Sequence, residues 1–305
     1  MKRHLKKMIV LGMLIAFVSC RFYFDTTKEN FTVNSSQAAI QNGKNLTHNV
    51  CGSCHYNHSL KKFIGMPMHE LPGIGGKLFA ANLTQSVSDG IPPAYTDAEL
   101  FYLIKTGIAK NGKFMPYMMR PMMADEDVHD IIAYLRSNDP DVAAADTTVG
   151  VTHINSLGKL FIRIASKKPT PYNKDVPRPD ENDAAAYGRY LVAVVGCYHC
   201  HSASLLKVDY LHPENSKGYM AGGAKFKTAS GKIRGVNLTP DNETGIGTFT
   251  QADFIAAVKE GKAPKGRMLR APMPQFKSLT DKQVSAIFTY LKTLPAAHHR
   301  AGTNL

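Results

Sequence analysis

Cysteine is scarce, with five in 305 residues, at positions 20, 51, 54, 197 and 200. The last four fall inside two short stretches, "VCGSCHYNHS" and "VVGCYHCHSA". With Cys20 accounted for separately, none remains for a structural disulfide or a catalytic thiol. Long Val/Ile/Thr alternations are missing, which speaks against a sheet-built fold; helix-like stretches dominate instead. No apolar run of membrane-spanning length follows the N-terminal segment, and the run within that segment, "MIVLGMLIAFV", has only eleven residues. Dense Lys/Arg blocks are also missing beyond the first seven residues. Hydrophobic residues make up 44% of the chain, enough for packed cores and too many for global disorder.

The N-terminus reads as a targeting signal: a basic "MKRHLKK", the apolar run, then "SC". Cys20 after a small residue resembles the lipobox of bacterial lipoproteins, in which the cysteine is lipidated and becomes the mature N-terminus; Phe17 stands where that family usually has Leu. The resemblance implies a signal over residues 1–20, a tether over 21–36, and a lipid-anchored protein on the periplasmic side of a bacterial membrane. Removing residues 1–19 takes away Lys2, Arg3, Lys6 and Lys7 and no acid, leaving +9 of the formal +13. Export sets nucleic acid aside as the partner of that charge and leaves anionic lipid or an acidic protein.

Both remaining cysteine pairs have the form Cys-x-x-Cys-His: Cys51, Cys54, His55 and Cys197, Cys200, His201. This spacing reads as c-type haem attachment. Each thiol adds across one porphyrin vinyl group, one helical turn matches the separation of the two vinyls, and the adjacent histidine faces the iron. A thioredoxin-like redox pair does not need the histidine and sits in a βα unit, which the sequence does not show. A four-cysteine zinc site would have to span the 146 residues between Cys51 and Cys197, far beyond zinc-ribbon spacing. Two covalently bound haem c groups are expected.

The motifs belong to an internal repeat. "QAAIQNGKNLTHNV" and "AAAYGRYLVAVVG" precede them, each with a Gly-basic pair, Gly43-Lys44 and Gly188-Arg189. "NLT" recurs at Asn82-Leu83-Thr84 and Asn237-Leu238-Thr239. Then "YTDAELFYLIKTG" matches "FTQADFIAAVKEG", with Thr96 and Thr250 as N-caps and Gly107 and Gly261 as terminators. "DEDVHDIIAYLRS" matches "TDKQVSAIFTYLKTLP", with Thr280/Gln283 as a further capping box and Pro295 closing the helix. Each half is therefore helix, haem motif, long loop, helix, Met-bearing loop, helix.

That order resembles the class I cytochrome c fold twice over, across residues 37–138 and 183–296. The resemblance implies an all-α protein of two tandem domains, 37–138 and 183–305, joined by an extended linker over 139–182 that is rich in Pro, Lys and Asp in its second half. "NLTPDNETGIG" together with "MPQFKSLTD" closely resembles the dihaem and multihaem cytochrome subunits of membrane dehydrogenases and oxidases, with Phe249 where those often carry Trp.

A low-spin electron-transfer haem usually takes a methionine as sixth ligand. In the second half Met273 lies between two prolines that hold it on a rigid loop, and Met268 is the alternative. In the first half "KFMPYMMRPMMADEDV" offers Met115, Met118, Met119, Met122 and Met123. Met118, after "PY", resembles the Pro-x-Met loop of bacterial cytochromes; Met115 is the main alternative, and most of the others read as core or rim. His48, His58, His69 and His129 are further ligand types in reach of the first half, and His298 and His299 belong to a polar tail. The expected function is electron transfer between a dehydrogenase or quinol-oxidising complex and a terminal acceptor such as an oxidase, without catalytic residues of its own. The competing expectation is a haem enzyme, a dihaem peroxidase or a thiosulfate-oxidising cytochrome.

Overall fold

The computed structural model describes residues 33–68, 76–147, 149–156, 175–205, 207–228 and 231–299. Cys20 and the whole signal-like segment lie outside them, as does His69.

The first half opens with α1 (Gln37–Leu46), capped by the Ser36 side chain, which accepts from the Ala39 amide. A π-helical turn, Thr47–Cys51, leads directly into α2 (Gly52–His55). After the short α3 (Ile91–Ala94) come α4 (Asp97–Thr106) and α5 (Asp125–Leu135). The second half repeats the plan with α6 (Ala184–Val195), α7 (Cys197–His201), α8 (Gln251–Glu260) and α9 (Asp281–Thr293). The expected capping boxes form at Thr96/Glu99 and Thr280/Gln283, and Thr250/Asp253 makes one too. Gly107 and Gly261 end α4 and α8 in the left-handed conformation, at φ 71° and 73°. The halves differ at the haem motif, since Gly196 at φ 83° breaks the helix before Cys197. No such break precedes Cys51.

The fold is largely helical. The all-α expectation is departed from, among the described residues, by three two-stranded antiparallel pairs: β1 (Gly76–Lys77) with β2 (His153–Ile154), β3 (Lys225–Thr228) with β4 (Gly231–Arg234), and β5 (Lys262–Ala263) with β6 (Arg267–Met268). β3–β4 and β5–β6 are local hairpins, whereas β1–β2 ties the long loop of the first half to the segment beyond its last helix; all are too short to leave an alternating pattern in the sequence.

Each half is closed by its first and last long helices crossing at a glycine. A Cβ on Gly43 would lie 1.8 Å from the Asp130 carbonyl oxygen and 2.9 Å from Tyr134 Cβ. One on Gly188 would lie 1.9 Å from the Ala286 oxygen and 2.9 Å from Tyr290 Cβ. The Gly-basic pairs of the sequence mark these crossings, α1 on α5 and α6 on α9. Around them pack two apolar cores. One includes Leu46, Phe63, Phe101, Val128, Ile131 and Tyr134; the other includes Leu191, Met220, Phe254, Val284, Ile287 and Leu291.

The described ends of the 139–182 segment pack on the first half. Val142 is fully buried, and the Asp141 and Val142 carbonyls accept from the Phe63 and Gln85 amides at 3.0 and 2.9 Å. At the far end, the Val176 carbonyl accepts from the Asp125 amide, and Arg178 forks onto Glu126, Asp127 and Asp130 of α5. The two halves share core: Val194 of α6 is buried in the first cluster, and Tyr190 touches both. The Tyr190 hydroxyl donates to Asp127 and accepts from the Ala124 amide at 3.1 Å.

Candidate haem-binding sites

His55 ends α2 and His201 ends α7, and both are buried. Their Nδ1 atoms face backbone carbonyls, Ala81 at 2.7 Å and Val236 at 2.9 Å. A carbonyl can only accept, so Nδ1 carries the proton and Nε2 is left with its lone pair free. Such a second partner fixes the ring's tautomer and direction, as a metal-bound imidazole requires. Burial, against the opposing effect of that hydrogen bond, holds both rings below the ordinary imidazole value, so both are neutral.

The accepting carbonyls stand immediately before the repeated "NLT". Asn82 Oδ1 accepts from the Thr84 amide at 2.8 Å, and Asn237 Oδ1 from the Thr239 amide at 2.9 Å. Their Nδ2 groups donate to carbonyls beyond the last helix of each half, Ala145 at 2.7 Å and Ala297 at 2.6 Å. The repeat thus staples the strand that holds the imidazole to the tail of its own half. The duplication of "NLT" was visible in the sequence; this role for the residue before it was not, because a backbone carbonyl has no residue preference.

None of the four cysteines is in a disulfide, and all are partly buried. Burial pushes Cys51 and Cys200 up to about 11 and Cys197 up to about 12, with Arg120 opposing the shift at Cys51. A thioredoxin-type pair needs a lowered thiol; Cys51, Cys197 and Cys200 are raised instead. Among the described residues no group of three or more His, Cys, Asp and Glu could hold a metal ion, and the two pairs are not brought together as a zinc site. In each half a neutral imidazole, its Nε2 lone pair available, directly follows the second cysteine of the pair, which fits covalently attached haem.

The methionines differ in placement. Met118 ends a 3-10 turn, Pro116–Met118, and is half-buried, as is Met273. Met123 is fully buried in the first core and Met119 is 4% exposed; Met122 and Met268 are exposed, at 36% and 56%. Backbone hydrogen bonds align the two loops. The Met115 amide donates to the Gly107 carbonyl as the Leu269 amide does to Gly261, both at 2.7 Å. The Arg120 amide donates to Ile104 as Phe276 does to Val258. Met115 therefore occupies the place of Leu269, and Met118 and Met119 fall in the stretch equivalent to that of Met273. Of the other histidines, His48 bonds Asp141 at 3.0 Å, His129 packs edge-on against Phe101, and His298 lies within 3.5 Å of Asp241.

Arg120 carries no signal in the sequence that would single it out. It lines a small cleft between the halves, with Met119, Met123, Val194, Tyr198 and Tyr210. Its Nη1 donates to the Tyr117 and Met119 carbonyls, while its Nε and the Nε2 of His199 are buried without a partner. Burial, and then the Arg120 charge, lower His199 to about 3. The charge of one guanidinium thus acts on both Cys-x-x-Cys segments, lowering Cys51 against its burial and lowering His199.

Comparison with known proteins agrees with this geometry. Residues 38–135 match the family model described as cytochrome C oxidase, cbb3-type, subunit III. The chain is 29% identical to the fructose dehydrogenase cytochrome subunit of Gluconobacter japonicus, over 81% of this chain and 50% of the relative. It is 26% identical to the gluconate 2-dehydrogenase cytochrome c subunit of Pantoea cypripedii, over 86% of this chain and 61% of the relative. A third relative, a diheme cytochrome c-type protein of Cereibacter sphaeroides, is 26% identical over 36% of each chain. The chain spans half to three-fifths of the length of the first two. It contains a c-type cytochrome domain related to dehydrogenase and oxidase cytochrome c subunits, with two candidate haem-attachment motifs, and this relatedness supports a general role in electron transfer. No described helix is long and apolar enough to cross a membrane.

Proposed function

We propose that this chain is a dihaem electron carrier built from two class I cytochrome c units, residues 37–138 and 183–305. It serves a dehydrogenase or quinol-oxidising complex on one side and an acceptor such as an oxidase on the other, and is lipid-anchored through Cys20 on the periplasmic side of the membrane. The observation that carries the reading is the duplicated imidazole anchor, His55 on the Ala81 carbonyl and His201 on the Val236 carbonyl. Haem, when bound, supplies one-electron iron chemistry. Cys51, Cys54, Cys197 and Cys200 would provide its covalent attachment, and His55 and His201 would ligate the iron through Nε2. Met118 and Met273 would add soft thioether ligands that favour the reduced metal. The matched loop hydrogen bonds support Met118 over Met115 and the exposure of Met268 supports Met273.

The mature protein should weigh two haems more than its peptide in denaturing mass spectrometry; one haem or none contradicts the reading. Ferric His/Met iron shows a weak red-edge band from the iron–sulfur bond. Met273→Ala should remove half of it and Met118→Ala the other half. If Met118→Ala leaves the band whole while Met115→Ala or Met119→Ala halves it, the first-loop assignment is wrong and the carrier reading stands. Cys20→Ala should release the protein from membranes or leave its precursor uncleaved.

A further inference from the structure

The β3–β4 hairpin carries an unusual charge pattern. Lys225 stands directly opposite Arg234, and Lys227 directly opposite Lys232. Alternate residues of a strand share a face, so positions 225, 227, 232 and 234 all lie on one face of the hairpin. Phe226 and Ile233, opposite each other, occupy the other face, where Phe226 is only 8% exposed. Like charges directly opposed across a ladder destabilise it. Lys225, Lys232 and Arg234 are exposed, and among the described residues no carboxylate pairs with them. Guarding a strand edge against aggregation needs only a lysine or so per strand, not facing pairs.

The hairpin's position gives the pattern a use. Its base packs on the second haem motif: the Ala224 amide donates to the Ser202 carbonyl at 2.9 Å, and a Cβ on Gly235 would lie 1.9 Å from the Cys200 oxygen. The next residue, Val236, supplies the carbonyl that holds His201. The loop that follows α8 is basic too, with Lys265, Arg267, Arg270 and Lys277 exposed on the segment that bears Met273, while Lys262 at its start pairs with Glu260 at 2.8 Å.

We propose that the basic face of the β3–β4 hairpin is a docking surface for the acidic face of a partner protein, seated beside the second haem-binding motif. This inference rests on the electron-carrier reading for its purpose. Opposite charge across such a contact steers encounter and fixes orientation more than it adds affinity. That suits a contact that must form and release quickly.

The test uses the full holoprotein with a poly-L-glutamate peptide as the acidic probe. Calorimetry should show binding that weakens as salt is raised. Lys225→Gln/Lys232→Gln/Arg234→Gln should weaken it about tenfold, while the exposed first-half set Lys61→Gln/Lys110→Gln/Lys113→Gln leaves it unchanged. In stopped flow, the same hairpin variant should slow oxidation of the reduced protein by the ferricyanide anion and speed oxidation by the tris(phenanthroline)cobalt(III) cation. If the triple variant does not fold, Lys232→Gln and Arg234→Gln alone should each show a smaller change of the same sign. Wild-type binding by the hairpin variant overturns the proposal. So does loss of binding to phosphatidylglycerol vesicles with poly-glutamate binding intact, which would assign the face to a lipid surface. Failure of the carrier reading shows separately, as missing haem in the absorption spectrum of the wild-type protein.

Discussion

The imidazoles of His55 and His201 illustrate how a single backbone carbonyl decides chemistry, because it fixes which nitrogen carries the proton. Arg120 acts through charge instead. A cation stabilises the more negative, reduced state of any redox centre beside it, by roughly 1–2 kcal/mol for a unit charge about 10 Å away at an effective dielectric of about 20. Because the Arg120 charge acts on Cys51 and on His199, Arg120→Met should lower both midpoint potentials in a redox titration. A shift in one alone would place the guanidinium beside one site only. His48 gives a pH prediction. Burial holds it below the ordinary imidazole value despite the Asp141 partner that raises it. The unfolded chain therefore takes up this proton first as pH falls. The contribution of a neutral His48 is full above about pH 6.5 and declines below it. Urea titrations at pH 7 and pH 5.5 should show a smaller acid loss for His48→Gln than for wild type.

At the scale of elements, the helices were legible because their signals are local. Thr96, Thr250 and Thr280 cap where the sequence placed them, and Gly107 and Gly261 stop the helices they follow. Thr250→Ala should cost about 1 kcal/mol in a denaturant titration. The haem motifs were legible because covalent chemistry fixes their spacing. The glycine crossings were legible only as an unexplained repeat: that Gly43 and Gly188 mark contacts closer than any Cβ allows depends on residues some ninety positions away. Gly188→Ala drives a methyl into the Ala286 carbonyl, and should cost about 3 kcal/mol or more. Denaturant midpoints and haem content should fall together, and a variant as stable as wild type would mean that α6 and α9 can separate without loss. The two-residue strands were beyond reach of the sequence, because their pairing is set by where the loops' ends are tied.

At the scale of the molecule, the halves are joined by more than a tether. Arg178, Tyr190 and Asn42 all bond the buried Asp127, and Asn45 of α1 donates to the Ser278 carbonyl. Tyr190→Phe leaves Asp127 and the Ala124 amide each short of a partner and should cost about 1–3 kcal/mol. It should also split one unfolding transition, followed by both absorption and far-ultraviolet dichroism, into two. A single transition of unchanged midpoint would show the hydroxyl to be dispensable. The shared core also has a consequence in time. Residues 37–138 leave the ribosome first, yet Val194, which fills their core, and Arg178 and Tyr190, which satisfy Asp127, come later in the chain. The first half is therefore an unfinished object until the second arrives. The first Cys-x-x-Cys-His motif is thus presented on a chain still open, with the last pieces of the first core delivered by the helix that leads into the second motif.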